Sequence, residues 1–281
     1  MRKLLILLLL PLLAACASIE RVALPAPEPL AAQTWTPAAA PPGQRVNHGA
    51  WNSFLQTYVA ADERGVNRVA YAQVTDRDRA RLDGYIAQLQ GVEPSRLTRD
   101  QQLAYWINLY NALTVDVILE NYPVDSIRDI TDGALSFGPW DRPLVVVSGR
   151  TLTLNDIEHR IIRPTYKEPR IHHALNCAAV GCPNLMDRAW QADTLERDLA
   201  AAERAYVNDP RGVRFDDNGR LILSKIYIWF REDFGPNERA VIAQISQAAA
   251  PELQARLREN PRVRAYKYDW ALNERRNVPD S

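Results

Sequence analysis

Basic runs, internal repeats and long apolar segments are all scarce in this 281-residue chain. Lysine plus arginine total 34, matched by 34 aspartate plus glutamate residues, and no basic run is present. Nucleic acid is therefore not an expected partner, since proteins that bind it concentrate positive charge on one face. No Pro/Gly/Ser-rich break divides residues 47–281, which predicts a single globular domain there.

The only conspicuous apolar run is at the N-terminus and is short. Residues 4–13 follow Arg2 and Lys3, and they are too few to cross a bilayer as a stable helix. A basic start followed by a short apolar run is typical of a secretory signal peptide.

The residues that follow this run, Leu13-Ala14-Ala15-Cys16, resemble the lipobox of bacterial lipoproteins. Residues 1–16 are therefore expected to be a lipoprotein signal, with Cys16 carrying the lipid, including an acyl group such as palmitate. A plain signal peptide with a chance cysteine is the alternative. Ala17 and Ser18 favour the outer membrane, with the domain facing the periplasm and the N-terminal lipid anchor as its membrane contact.

Residues 17–46 contain six prolines among alanines and few large apolar residues apart from Trp35. Such a composition does not build a core. It predicts an extended, semi-rigid tether between the anchor and the domain.

Residues 97–123 predict a long helix at the centre of the domain. Thr98 and Gln101 form a capping-box pattern, and Pro123 ends the segment. Apolar residues occupy more than one face, which predicts burial on most sides. Asn108 and Asn111 lie one turn apart inside this apolar helix, so their amides either brace neighbouring backbone or line a site.

Two hairpins and several further helices complete the expected fold. Residues 144–154 surround a Ser-Gly turn, residues 213–223 surround an Asn-Gly turn, and residues 263–270 alternate like a final strand. This pattern predicts an α+β fold: a helix-rich single domain with a buried central helix and a modest, mainly antiparallel sheet. Aromatic residues near the end of the chain are expected in the core rather than in a carbohydrate platform: Trp229, Phe230, Tyr266, Tyr268 and Trp270.

A short helix is expected after the first hairpin, capped by Asn155 and ended by Pro164. Glu158 and His159 within it have the chemistry of an acid-base pair. Glu158 also occupies the third helical position, where it would complete the cap.

Residues 169–183 carry the densest chemistry, with His172, His173, Asn176, Cys177 and Cys182 close together. In one interpretation the two cysteines form a structural disulfide, as paired cysteines of exported proteins often do.

In a second interpretation Cys177 is a nucleophile. A histidine among His159, His172 and His173 would take its proton, and Glu158, Asn108 or Asn111 would orient that base. A third interpretation, a metal held by these histidines and Cys177, is weaker because no closed ligand spacing is present. The residues imply no cofactor.

Five ordered phrases resemble the domain of unknown function 547 family: AYWINLYNALT (104–114), LTLNDIEHRIIRP (152–164), IHHALNCAAVGCPNL (171–185), IYIWFREDFG (226–235) and YDWALN (268–273). The resemblance covers about residues 48–273 and implies no established reaction.

Two functions remain open from the sequence. One is a periplasmic thiol-dependent hydrolase or acyltransferase at Cys177. The other is a non-catalytic envelope module that binds or scaffolds an envelope component.

Overall fold

The computed structural model describes residues 35–37, 45–131, 138–259 and 262–275. Its helices outnumber its short strands, so the prediction of a helix-rich α+β fold is confirmed. The α-helices are α1 (Gly49–Tyr58), α2 (Asp76–Gln90), α3 (Arg99–Asn121), α4 (Arg163–Tyr166), α5 (Leu195–Val207), α6 (Ile226–Trp229), α7 (Arg231–Phe234), α8 (Glu238–Ala248) and α9 (Pro251–Glu259). The strands are β1 (Val59–Ala61), β2 (Asn67–Val69), β3 (Val145–Val147), β4 (Arg150–Leu152), β5 (Val213–Phe215), β6 (Leu221–Ser224) and β7 (Val263–Lys267).

Helix α3 is the central helix that the sequence predicts. The backbone N–H of Gln101 donates to the Thr98 hydroxyl, and the Gln101 side chain accepts from the Thr98 N–H, which completes the capping box. Its residues from Gln102 to Val115 are all buried. The main hydrophobic core therefore surrounds α3, with α1, α2 and the β3–β4 hairpin packed around it.

Trp35 belongs to this core although it lies in the segment assigned to the tether. Its ring is 1% exposed and packs edge-on against Trp106 of α3. The core thus reaches back beyond residue 46. The signal peptide, Cys16 and the rest of the tether up to residue 34 lie outside the described residues.

A second, smaller core lies between the sheet β5-β6-β7 and helices α5 to α9. Strand β6 pairs antiparallel with β5 and parallel with β7. The β1–β2 and β3–β4 pairs are antiparallel, so the described sheets are mainly antiparallel as predicted. Both predicted hairpins form, and Ser148 and Gly149 adopt the positive φ that a tight turn between β3 and β4 requires. The final strand ends at Lys267 rather than at Trp270.

The helix after the first hairpin differs from its prediction. Thr153, not Asn155, caps it, because the Thr153 hydroxyl accepts from the Asp156 N–H, whereas the Asn155 side chain donates to Asp141. Asp156–Ile162 is π-helical and runs directly into α4. The wider π-helical turn precedes Pro164, so the proline is accommodated and does not end the helix.

Candidate functional site

The loop that carries both cysteines is closed by a disulfide between Cys177 and Cys182, whose Cα atoms are 6.4 Å apart. The hydroxyl of Tyr268 lies 3.0 Å from the Cys177 sulfur and 2.9 Å from the Cys182 sulfur. Burial, followed by the proximity of Tyr206, raises the pKa of Tyr268 well above its ordinary value, so this hydroxyl stays protonated. The structure thus supports the disulfide interpretation, and Cys177 has no thiolate in this state.

Arg211 holds the same loop from the side of the second core. One nitrogen of its guanidinium donates to the carbonyls of Val180 and Cys182, each at 3.0 Å. Its remaining nitrogens contact Asp209 and Asn184. Because a planar guanidinium makes all these bonds at once, it fixes the backbone on both sides of Gly181.

The two amides of α3 brace backbone, which was one of the two interpretations. Asn108 exchanges hydrogen bonds with the N–H and carbonyl of Trp190, at 3.0 and 2.9 Å. Asn111 donates to the Ala174 carbonyl and accepts from the Asn176 N–H. Each amide uses both its oxygen and its nitrogen on main chain, so Asn111 fixes the backbone just before Cys177.

His173 contacts aromatic residues of the second core. The 3-10 helix Pro169–His173 ends four residues before Cys177, so the two residues do not share a helical face. Its Nε2 lies 3.4 Å from the Tyr227 hydroxyl, and its Nδ1 has no hydrogen-bond partner among the described residues. Burial, followed by the charges of His172 and Arg170, lowers the pKa of His173 to about 3, so the ring is neutral.

His172 lies instead between two carboxylates. Its Nε2 is 2.7 Å from the Asp233 carboxylate, and its Nδ1 is 3.7 Å from that of Glu158. The ring stacks on Phe230 with centroids 4.0 Å apart, and Tyr110 of α3 donates to Glu158. Glu158 therefore joins this buried network and does not cap a helix, which corrects its expected structural role.

Arg163 connects the remaining members of the network. It donates to both oxygens of Asp233, to Glu232 and to Nδ1 of His159. Burial of Asp233 opposes its ionisation, but the hydrogen bonds from His172 and Arg163 outweigh burial and lower its pKa to about 2. The network thus holds an ionised Asp233 carboxylate against Arg163 and ties α7 to the π-helical segment.

The candidate residues form two groups with different partners. Glu158, His159 and His172 come together around Asp233 and Arg163, whereas Cys177 is engaged with Cys182 and Tyr268. Across the described ranges, no group of three or more His, Cys, Asp or Glu residues has the arrangement of a metal site.

The candidate residues of both groups, though not all of their partners, lie in a segment that matches a known family. Residues 94–207 match the family described as protein of unknown function, DUF547. Neither the curated proteins nor the solved structures contain a match to the chain.

The DUF547 match supports the central part of the resemblance seen in the sequence. It includes α3, the π-helical segment and the cysteine loop, but it stops at the end of α5. The phrases at 226–235 and 268–273 lie beyond it. The family description names no reaction, so the chemistry of this region is argued from the side chains alone.

Two partners of the candidate residues, Asp233 and Tyr268, lie outside the matched segment, and sequence reasoning does not find these contacts. Asp233 follows His172 by 61 positions, and Tyr268 follows Cys177 by 91. The Glu-Asp pair in the phrase at 226–235 was the available signal for the first contact. No local pattern marks the second.

A cleft lies beside the disulfide. Its cavity has a volume of about 340 Å³, and Gly181, Arg214, Lys267, Tyr268 and Asp269 are among its lining residues. No helix in the described part of the chain is long and apolar enough to span a bilayer.

Proposed function

We propose that this protein is a lipid-anchored protein of the bacterial cell envelope whose folded domain binds or scaffolds an envelope component without thiol catalysis. The observation that carries this proposal is the engagement of both sulfurs of Cys177 and Cys182 in a disulfide beneath the Tyr268 hydroxyl. A sulfur in a disulfide has no thiolate to attack an ester or amide.

The surroundings of Cys177 support the same proposal. A thiol nucleophile needs a base within hydrogen-bond reach. His173 contacts Tyr227, His172 contacts Asp233 and His159 contacts Arg163, while the described polar contact of the Cys177 sulfur is with Tyr268. Asn111 and Asn108 hold main chain. These contacts fit a rigid scaffold better than a thiol hydrolase.

The anchor part of the proposal is supported by the residue pattern around Cys16. Its test is incorporation of labelled palmitate in a bacterial host. We expect labelling and membrane fractionation of the wild-type chain, and loss of both in Cys16→Ser. A Cys16→Ser chain that still carries the label would contradict the anchor.

The disulfide part is tested by thiol titration of the purified protein in denaturant. Without reductant we expect no reactive thiol from Cys177 and Cys182, and after reduction we expect two, with the mass of two added hydrogens. The matched variant Cys182→Ser frees Cys177 and should show one thiol without gaining hydrolase activity. Two reactive thiols in the unreduced, exported protein would instead favour the hydrolase or acyltransferase.

A further inference from the structure

Three aromatic residues near the end of the chain, Trp229, Tyr268 and Trp270, form a partly buried cluster that packs against the two cores. The ring of Tyr268 lies 4.9 Å from that of Trp229 and 4.7 Å from that of Trp270. Trp140 extends the cluster on the far side of Trp270, at 5.8 Å. All four residues are intermediate in exposure, whereas the neighbouring Phe230 is buried.

Cationic side chains border this aromatic cluster. The ammonium of Lys225 lies 5.9 Å from the ring centre of Trp229, and the guanidinium of Arg128 lies 5.3 Å from that of Trp270. Burial, followed by the charge of Lys267, lowers the pKa of Lys225, because both disfavour its charged form. A bound anion would offset the effect of this positive charge on Lys225.

The cleft beside the disulfide joins the cluster through Tyr268, which belongs to both. Arg214 and Lys267 line its walls, and Asp269 is the acidic residue among the lining side chains. The Asp269 carboxylate accepts the N–H of Ala271. Its volume of about 340 Å³ is within the range of small-ligand sites, which begins at roughly 300 Å³. The cleft is therefore large enough for a sugar ring and carries excess positive charge.

A sugar ring has an apolar C–H face and a rim of hydroxyl groups. The C–H face packs against the flat face of an aromatic ring. If the sugar also bears a carboxylate, a lysine or arginine side chain can bind it. Nucleic acid fits less well, because the chain as a whole has 34 basic and 34 acidic residues and lacks the net positive charge that attracts a polyphosphate.

From these contacts we infer that the cleft and aromatic cluster bind a carboxylate-bearing sugar of an envelope glycan, with its ring against Trp229 and Tyr268 and its carboxylate at Lys267. This inference rests on the proposed binding function and names its ligand class. The rigid disulfide beneath Tyr268 holds that ring in place before the ligand arrives, which reduces the ordering needed on binding.

The test is calorimetric titration of the full chain with two matched disaccharides. One is N-acetylglucosaminyl-N-acetylmuramic acid, which bears a lactyl carboxylate, and the other is N,N′-diacetylchitobiose, which lacks it. We expect saturable binding of the acidic disaccharide and at least tenfold weaker binding of the neutral one. Equal affinity for both, or no binding of the acidic disaccharide at millimolar concentration, overturns the inference.

Variants locate the binding. Lys267→Gln is expected to weaken the acidic disaccharide about tenfold, because it removes a charge-assisted contact. Arg77→Gln changes the net charge equally at an exposed position of α2 that does not line the cleft, and it should have no effect. Trp229→Phe should retain binding, whereas Trp229→Leu, which replaces the indole with a smaller aliphatic side chain, should lose it. Retained binding in both Lys267→Gln and Trp229→Leu overturns the inference.

Two further probes separate other anions from the sugar. The inference is overturned if inorganic phosphate binds as tightly as the acidic disaccharide. It is also overturned if the chain without its lipid binds anionic phospholipid vesicles and does not bind the sugar. Thiol titration of the same preparation tests the proposed function separately from the sugar ligand. Absence of free thiols together with absence of sugar binding rejects only the ligand class.

Discussion

The indole of Trp35 lies edge-on to the indole of Trp106, with ring centroids 5.2 Å apart. Both rings are buried in the main core. Trp35→Ala should therefore lower the free energy of unfolding by about 3–5 kcal/mol, as expected for removal of a buried aromatic side chain. Urea denaturation measures the loss. Ile228→Ala, which truncates an exposed side chain, should cost far less, and an equal loss in both variants would contradict the role of Trp35.

Asn111 links α3 to the backbone just before the disulfide. Asn111→Ala removes a donor to Ala174 and an acceptor from Asn176, and each buried group left unpaired costs about 1–3 kcal/mol. We expect faster hydrogen exchange at the Asn176 amide as well as lower stability. Gln56→Ala, an exposed amide on α1, should leave both unchanged. An unchanged hydrogen-exchange rate at the Asn176 backbone amide in Asn111→Ala would show that the Asn111 side chain is not needed to hold this backbone.

Two buried histidines should make the fold acid-sensitive. Burial lowers the pKa of His48 to about 4, and burial with the charges of His172 and Arg170 lowers that of His173 to about 3, from an ordinary value of 6.5. As the pH falls, these histidines are therefore protonated in the unfolded chain before they are protonated in the folded chain.

Their contribution to stability is complete above about pH 6.5 and is lost as the pH falls toward 4 and then 3. Each histidine adds a slope of about 1.4 kcal/mol per pH unit within its window. Denaturation at several pH values should show a shallower slope in His173→Gln than in the wild-type chain. The idea fails if the two slopes coincide between pH 6 and 4.

Asp233 should govern a second, more acidic window. Its pKa is lowered from 3.8 to about 2, so its contribution is present above pH 4 and lost as the pH falls through 2. Asp233→Asn should cost about 2 kcal/mol at neutral pH, because it weakens the contacts to His172 and Arg163. Asp217→Asn, at an exposed site, is the control for loss of one carboxylate. Equal stabilities of the two variants at neutral pH, measured in urea, would rule out the network as a source of stability.

Local signals explain most of what could be predicted. The capping box of α3 and the turn at Ser148-Gly149 depend on residues within a few positions of one another, and both form as expected. Pro164 shows the limit of a local rule, because the π-helical turn before it depends on the surrounding packing.

Contacts between distant segments could not be predicted. The sequence identifies Trp35 as an apolar residue among prolines but does not show that Trp106 receives it. Likewise, Glu158 and His172 are candidates from the sequence, whereas Asp233, the second carboxylate at His172, lies on another helix. Periodicity reports which face of an element is apolar, and it does not report which two elements meet.

The last described residues return to the beginning of the domain. The Val69 N–H donates to the Asn273 carbonyl, and the Arg275 N–H donates back to the Val69 carbonyl. The side chain of Asn273 accepts from the Tyr71 hydroxyl. A chain that is still emerging from the ribosome lacks these partners. The native contacts of Val69 and Tyr71 can therefore form only after residues 273–275 have been synthesised, so the start of the domain gains its final hydrogen bonds late.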